Sequence, residues 1–252
     1  MLQEIKEQLA YLEREKNLKV LMAVESGSRA WGFPSPDSDY DVRIIYQRPE
    51  DWYLTIGERK DTIDYFHGEL LDISGWDLRK ALKLLSKSNA TPAEWSQSPI
   101  VYQEQAGFRA QLFGYVQEYF NPVHTLNHYR GIALNSYKSM ADDGIIKLKK
   151  LFYVLRPILA AEWILAHQSV PPMEIQPLLG MLKDDALKQH IVALIDLKAK
   201  AAEDYQHQIA PDTRSFIEEA LERVKNADLP KCKQLESEPL YQFIRQQIRL
   251  KY

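Results

Sequence analysis

The sequence predicts an α+β protein: a small mixed-sheet domain over residues 1–104, followed by an all-helical domain over 105–252. Three observations carry this. Short apolar or alternating runs bounded by turn residues crowd the first hundred positions, at 19–26, 39–46, 61–66 and 69–73. Beyond residue 104 the apolar residues recur at spacings of three and four, which is helical. Finally, 252 residues with 45% hydrophobic content can bury the core of one large domain or two small ones.

Taken in order, Leu2, Ile5, Leu9 and Leu12 mark an amphipathic helix over Met1–Lys16 that covers one sheet face. Lys19–Ser26 is the first strand, and Gly27-Ser28 turns it into a short helix or ordered loop. Pro34 and Pro36 stop any long helix before the second strand, Asp39–Tyr46. There Val42 and Ile44 point to the core, while Asp39, Asp41 and Arg43 point away from it. Pro49–Arg59 holds a short helix or a loop. Asp61–Phe66 and Glu69–Ile73 flank His67-Gly68 and read as a hairpin. With a two-residue loop, residue 65 pairs with 70 and 63 with 72, which puts Asp64 and Asp72 on opposite faces.

Ser74 and Asp77 have the spacing of a capping box. They open a helix whose apolar stripe is Leu78, Ala81, Leu82 and Leu85. Thr91–Ser96 reads as a helical turn and Pro99–Gln103 as a last strand. Helices are expected over Ala106–Phe120, Val123–Asp142 and Ile145–Gln168. After the break at Pro171-Pro172 they resume over Asp184–Asp204, Asp212–Asn226 and Ser237–Lys251.

A net charge of −3 excludes a protein that is cationic overall, although a local basic face would suffice for nucleic acid. Cys232 is the single cysteine, which removes disulfide frameworks and Cys-based zinc sites and points to a reducing, cytoplasmic compartment. The histidines show no metal-ligand spacing. The first residues are charged and amphipathic rather than a signal peptide, and no apolar run reaches the roughly 18 residues of a membrane span. No membrane partner is expected.

The most informative stretch is Glu25–Tyr46. Gly27-Ser28 offers a tight turn whose backbone N–H groups can face phosphate oxygens. Ten residues later, Asp39 and Asp41 alternate along a strand and leave it on one face. Two carboxylates a loop away from a phosphate turn can hold two divalent cations on a nucleoside triphosphate.

The Gly-Ser-(ten residues)-Asp-x-Asp pattern resembles the polymerase-β-like nucleotidyltransferase superfamily. The strings Gly27-Ser-Arg-Ala-Trp-Gly32 and Ser38-Asp-Tyr-Asp-Val-Arg43 are similar to the RNA-ligase-associated (RlaP-like) predicted nucleotidyltransferases. The similarity runs on through Gly75-Trp-Asp-Leu-Arg-Lys80, Asn89, Glu94-Trp95 and 98–102, and fades after about residue 170. The resemblance implies a polymerase-β palm-like sheet domain. It also implies transfer of a nucleoside monophosphate, AMP from ATP by default, to a hydroxyl, with two Mg²⁺ (or Mn²⁺) held by Asp39, Asp41 and a third carboxylate from the hairpin, for which Asp72 is chosen and Asp64 is the alternative. Gly27 and Ser28 would hold the leaving phosphates. Arg29 would touch phosphate or brace the loop through Asp37, and Arg43 would offset the carboxylates or reach the substrate.

In the helical half, Lys149, Tyr153 and Arg156 stand four and three apart on one helix face. With Lys138 they are candidates for triphosphate and base recognition. The acceptor stays open between an RNA end, a protein hydroxyl and a small molecule. A nucleotide-binding regulator on the same fold is the rival reading.

Overall fold

The computed structural model describes residues 1–138, 144–230, 232 and 235–249. The first elements in chain order are α1 (Leu2–Lys16), β1 (Lys19–Glu25), α2 (Gly27–Trp31), β2 (Tyr40–Gln47) and α3 (Glu50–Tyr53). There follow β3 (Thr62–His67), β4 (Leu71–Asp77), α4 (Leu78–Leu85), α5 (Ala90–Gln97) and β5 (Val101–Glu104). Next come α6 (Phe108–Glu118), α7 (Pro122–Tyr137), β6 (Ile145–Lys147), α8 (Leu148–His167) and α9 (Ile175–Leu179). The chain ends with α10 (Asp185–Lys198), β7 (Gln206–Gln208), α11 (Pro211–Lys225) and α12 (Glu238–Arg249). The α+β class is as the sequence predicts. The expected continuation of the seventh helix to Asp142 and of the last one to Lys251 lies outside the described residues.

Two compact units divide the chain. One comprises Met1–Gly27, Asp39–Tyr119 and Gln234–Tyr252, the other Ser28–Ser38 and Phe120–Lys233. They are not the consecutive stretches 1–104 and 105–252, and a cut after residue 104 falls inside the first unit. The reason is packing. Phe33 stacks on Phe152 with ring centroids 4.7 Å apart, so residues 28–38 belong with α8. Phe243 of α12 packs against Phe108 and Tyr115 of α6, so the last helix belongs with the sheet.

In the first unit the strands run β3-β4-β2-β1-β5 in one sheet, with β2 and β4 parallel and the other pairs antiparallel. α1 buries Ile5, Leu9 and Leu12 against the face formed by Val42, Ile44, Tyr46, Ile63 and Ile73. β1 is central, and all its residues from Val20 to Glu25 are buried.

Two expectations fail here. The segment from Ser74 to Asp77 continues β4 rather than opening a helix. It lies in parallel register with Arg43 to Tyr46, and Gly75 passes so close to Ile44 that a Cβ would meet that residue's carbonyl oxygen. The helix starts three residues later, capped by Asp77, whose carboxylate accepts from the Arg79 N–H at 2.9 Å. The hairpin register also differs. Tyr65 pairs with Ile73 and Phe66 with Asp72, because the turn takes in Gly68, Glu69 and Leu70. Asp64, opposite Ser74, therefore shares the face of Asp72 instead of opposing it.

The second unit packs α7 and α11 on α8, whose residues from Val154 to Ala161 are all buried. The short ladder β6–β7, with Ile146 opposite His207, was invisible in the sequence because three residues carry too little periodicity. No described helix is long and apolar enough to cross a membrane.

Candidate functional site

In the sheet unit, Asp41 and Asp72 are direct register partners on the neighbouring parallel strands β2 and β4. Neighbouring strands lie about 4.8 Å apart, so the two carboxylates repel one another. Arg43, two residues along β2 on the same face, supplies the opposite charge. Its Nη2 stands 2.7 Å from Asp41 Oδ1 and 2.9 Å from Asp72 Oδ2, and its Nη1 donates to the Asp72 carbonyl at 3.3 Å. All three side chains are partly exposed. Asp72 Oδ1 is buried and has no hydrogen-bond partner among the described residues.

The turn before the strand is fitted to this pair. Gly27 has φ +62°, and a Cβ there would collide with Asp41 Oδ2. Glycine is thus required twice, for its left-handed backbone and for the carboxylate beside it. The backbone of Asp41 is held as well: its N–H donates to Glu25 Oε1 at 2.8 Å, and its carbonyl accepts from the Ser26 N–H at 2.9 Å. Glu25 is fully buried and receives the Tyr102 hydroxyl. Sequence reasoning missed it, yet a carboxylate closing an all-apolar strand was the signal.

Asp39 is exposed and precedes β2 rather than opening it. Among the described residues no three His, Cys, Asp or Glu side chains are gathered to hold a metal ion, so the expected trio is not preassembled. Asp64, the alternative third acid, is exposed and pairs with Lys60 at 3.3 Å. The residues that stand together are Asp41, Asp72 and Arg43. This donor set suits a hard divalent cation, because carboxylate oxygens are its preferred ligands and Asp72 Oδ1 lacks any other partner.

Within the helical unit, residues 28–38 form a hydroxyl chain. Ser28 Oγ donates to Ser38 Oγ at 3.1 Å, and Ser38 Oγ accepts from the Ser35 N–H at 2.9 Å. Ser35 Oγ accepts from Lys198 Nζ at 2.7 Å. Lys198 is 2% exposed, and burial pushes its ammonium below the usual lysine range. It was overlooked, although it continues the buried stripe Leu187, Ile191 and Leu194 at helical spacing. Arg29 braces the loop by donating to the Ser38 carbonyl at 2.7 Å. Asp37 Oδ2 accepts from the Glu203 N–H at 3.2 Å.

A cavity of about 700 Å³ in this unit is lined by Asn135, Ser136, Lys147, Lys149, Lys150, Tyr153, Glu203 and Asp204. Lys149 and Tyr153 thus share a cavity, with Lys149 bonded to Glu203 at 2.6 Å. Arg156 does not join them. It is buried, donates from Nε to the Met173 carbonyl at 3.0 Å, and lies 4.6 Å over the ring of Trp31. Its charge is spent on the interior, because the face it shares with Tyr153 packs on Trp31. Lys138 is exposed at the end of α7.

Against known proteins, residues 1–246 match the sequence family described as RlaP, the RNA repair pathway DNA polymerase beta family. A relative in Bacillus subtilis (strain 168), the uncharacterized protein YcgL, is 42% identical over 229 residues, covering 90% of this chain and 88% of the relative. A crystal structure of a nucleotidyltransferase-like protein from Exiguobacterium sibiricum 255-15 aligns over 96% of this chain and 87% of that one, at 10% identity and a TM-score of 0.32. With a family match across nearly its whole length, the chain belongs to the RNA repair pathway DNA polymerase beta family and is a nucleotidyltransferase.

Proposed function

We propose that the protein transfers a nucleoside monophosphate, AMP from ATP, to the hydroxyl of an RNA end and releases pyrophosphate. The observation that carries this is the Asp41–Asp72 pair, side by side on parallel strands at a glycine turn, with one buried carboxylate oxygen unpartnered. RNA is chosen as acceptor because the family is described by RNA repair.

In this reading the acceptor oxygen forms a bond to the α-phosphorus as the bond to the β-phosphate oxygen breaks. The hydroxyl proton leaves to water, which reaches the partly exposed Asp41–Asp72 pair. In the sheet unit the backbone at Gly27 holds the departing phosphates; in the helical unit taken by itself, the Ser28 hydroxyl is proposed to contact phosphate, with Lys198 keeping that hydroxyl chain in place through Ser35. Asp41 and Asp72, joined by Asp39 from the strand end, would hold Mg²⁺, which supplies charge neutralisation on the triphosphate. Arg43 fixes the spacing of the two acids. In the helical unit taken by itself, Lys149 and Tyr153 are proposed to contact nucleotide because they line its 700 Å³ cavity, a volume suited to a small ligand. Lys138 is proposed with them from its exposed cation alone. The soluble interior of a cell is the expected compartment.

The test is transfer of label from α-³²P-NTPs to separate pools of RNA, protein and small molecules with Mg²⁺ or Mn²⁺. Labelled RNA is expected, with a loss of at least about 10³-fold in D41N and D72N, on the scale of removing a charge-stabilising catalytic group. Label entering the protein pool alone overturns the RNA acceptor. Metal-dependent nucleotide binding without transfer in any pool overturns the reaction.

A further inference from the structure

A second basic feature lies on the sheet unit and is unused by the chemistry above. Three guanidinium groups surround one indole. Arg48, Arg59 and Arg79 stand 5.8, 6.0 and 5.4 Å from the Trp52 ring centroid. A cavity of about 570 Å³ opens there, lined by Asn17, Arg48, Pro49, Asp51, Trp52, Arg59 and Lys60. Its lining carries three cations and one carboxylate. Arg48 is anchored, donating to the carbonyl of Lys16 at the end of α1, and its Nε is buried without a hydrogen-bond partner among the described residues. Arg59 and Lys60 are exposed, and the Lys60–Asp64 pair at 3.3 Å is too exposed to hold the lysine firmly. Leu54 and Ile56 protrude beside them, Leu54 at 73% exposure and Ile56 fully exposed.

Asp77, which feels Arg79 and Arg48, and Asp51 offset part of this charge, but the four cations outnumber them until a further anion joins, and Leu54 and Ile56 stand bare beside the ring. Phosphates would satisfy the first condition and unstacked bases the second. A duplex hides its base faces, so the combination fits a single strand. We infer that Arg48, Arg59, Lys60 and Trp52 form a docking site for single-stranded RNA, with phosphates on the cations and a base on the indole and its apolar neighbours. The site rests on the reading above only in the choice of RNA, and it binds without nucleotide or metal.

The experiment is fluorescence anisotropy of a labelled ten-nucleotide single-stranded RNA on the full chain, across a salt series. R59A/K60A is expected to bind at least tenfold more weakly, with a salt slope smaller by about 1.4, the value for two lost single-strand phosphate contacts. W52L is expected to lose affinity with its slope unchanged. D41N/D72N is expected to retain full RNA binding while losing transfer, so failure of the reaction and failure of the docking site give different results. Unchanged affinity and slope in R59A/K60A, whose exposed positions are not needed for folding, overturn the inference. So does equal binding of a duplex of the same length.

Discussion

At Gly27 a single absent methyl group serves both backbone and site. Replacing it with alanine places an L-residue at φ +62° and a Cβ against Asp41 Oδ2. G27A is expected to lose about 1–2 kcal/mol of stability from the left-handed backbone alone. It should also lose at least tenfold in transfer from the displaced carboxylate, read by denaturant melts and by the label assay. A variant with full activity would show that Asp41 is not the group the turn is built around. The turn itself was legible in the sequence, since Gly-Ser after an apolar strand names it. What was not legible is that the constraint on Gly27 comes from Asp41, because that contact crosses fourteen residues of chain. Arg43 was placed on the right face by alternation alone. Arg156 was misplaced by the same kind of argument: helical spacing groups residues on a face but does not say whether the face is wet.

Among the elements, β4 shows where local signals mislead. Its last four residues carry a capping pattern, yet pairing with β2 extends the strand to Asp77. Asp77 then does three things: it ends the strand, caps α4, and accepts the Tyr53 hydroxyl at 2.7 Å. Burial pushes its carboxyl above the usual aspartate range. The folded chain therefore holds that proton more tightly than the unfolded chain, so Asp77 subtracts stability as pH rises from about 3.8 through the raised value. D77N, which keeps an accepting cap, should flatten that decline in stability-versus-pH measurements, whereas D77A should cost about 1–2 kcal/mol for the lost cap. An unaltered pH profile in D77N would assign the titration elsewhere. The five strands of the larger sheet were foreseen to within a few residues, since β-branched and alternating runs mark them. The hairpin register was not, because a single added turn residue reverses which acids share a face.

For the molecule as a whole, the chain leaves the sheet unit after Gly27, completes part of the helical unit, and returns at Asp39. No periodicity announces such an excursion, because Phe33 declares its partner only when Phe152 is in place. A fragment of residues 1–104 would expose Phe33 and lack both α6 and α12. It is expected to show no cooperative thermal transition by circular dichroism, while the full chain does. A cooperative melt of the fragment would mean that the sheet unit closes without its C-terminal helix. The same excursion bears on synthesis at the ribosome. Ser35 emerges 163 positions before the lysine that holds it, a delay on the order of ten seconds at bacterial elongation rates. The sheet unit waits longer still, for α12. Both units are thus completed late in the chain, and a chain that stops before Lys198 carries neither whole.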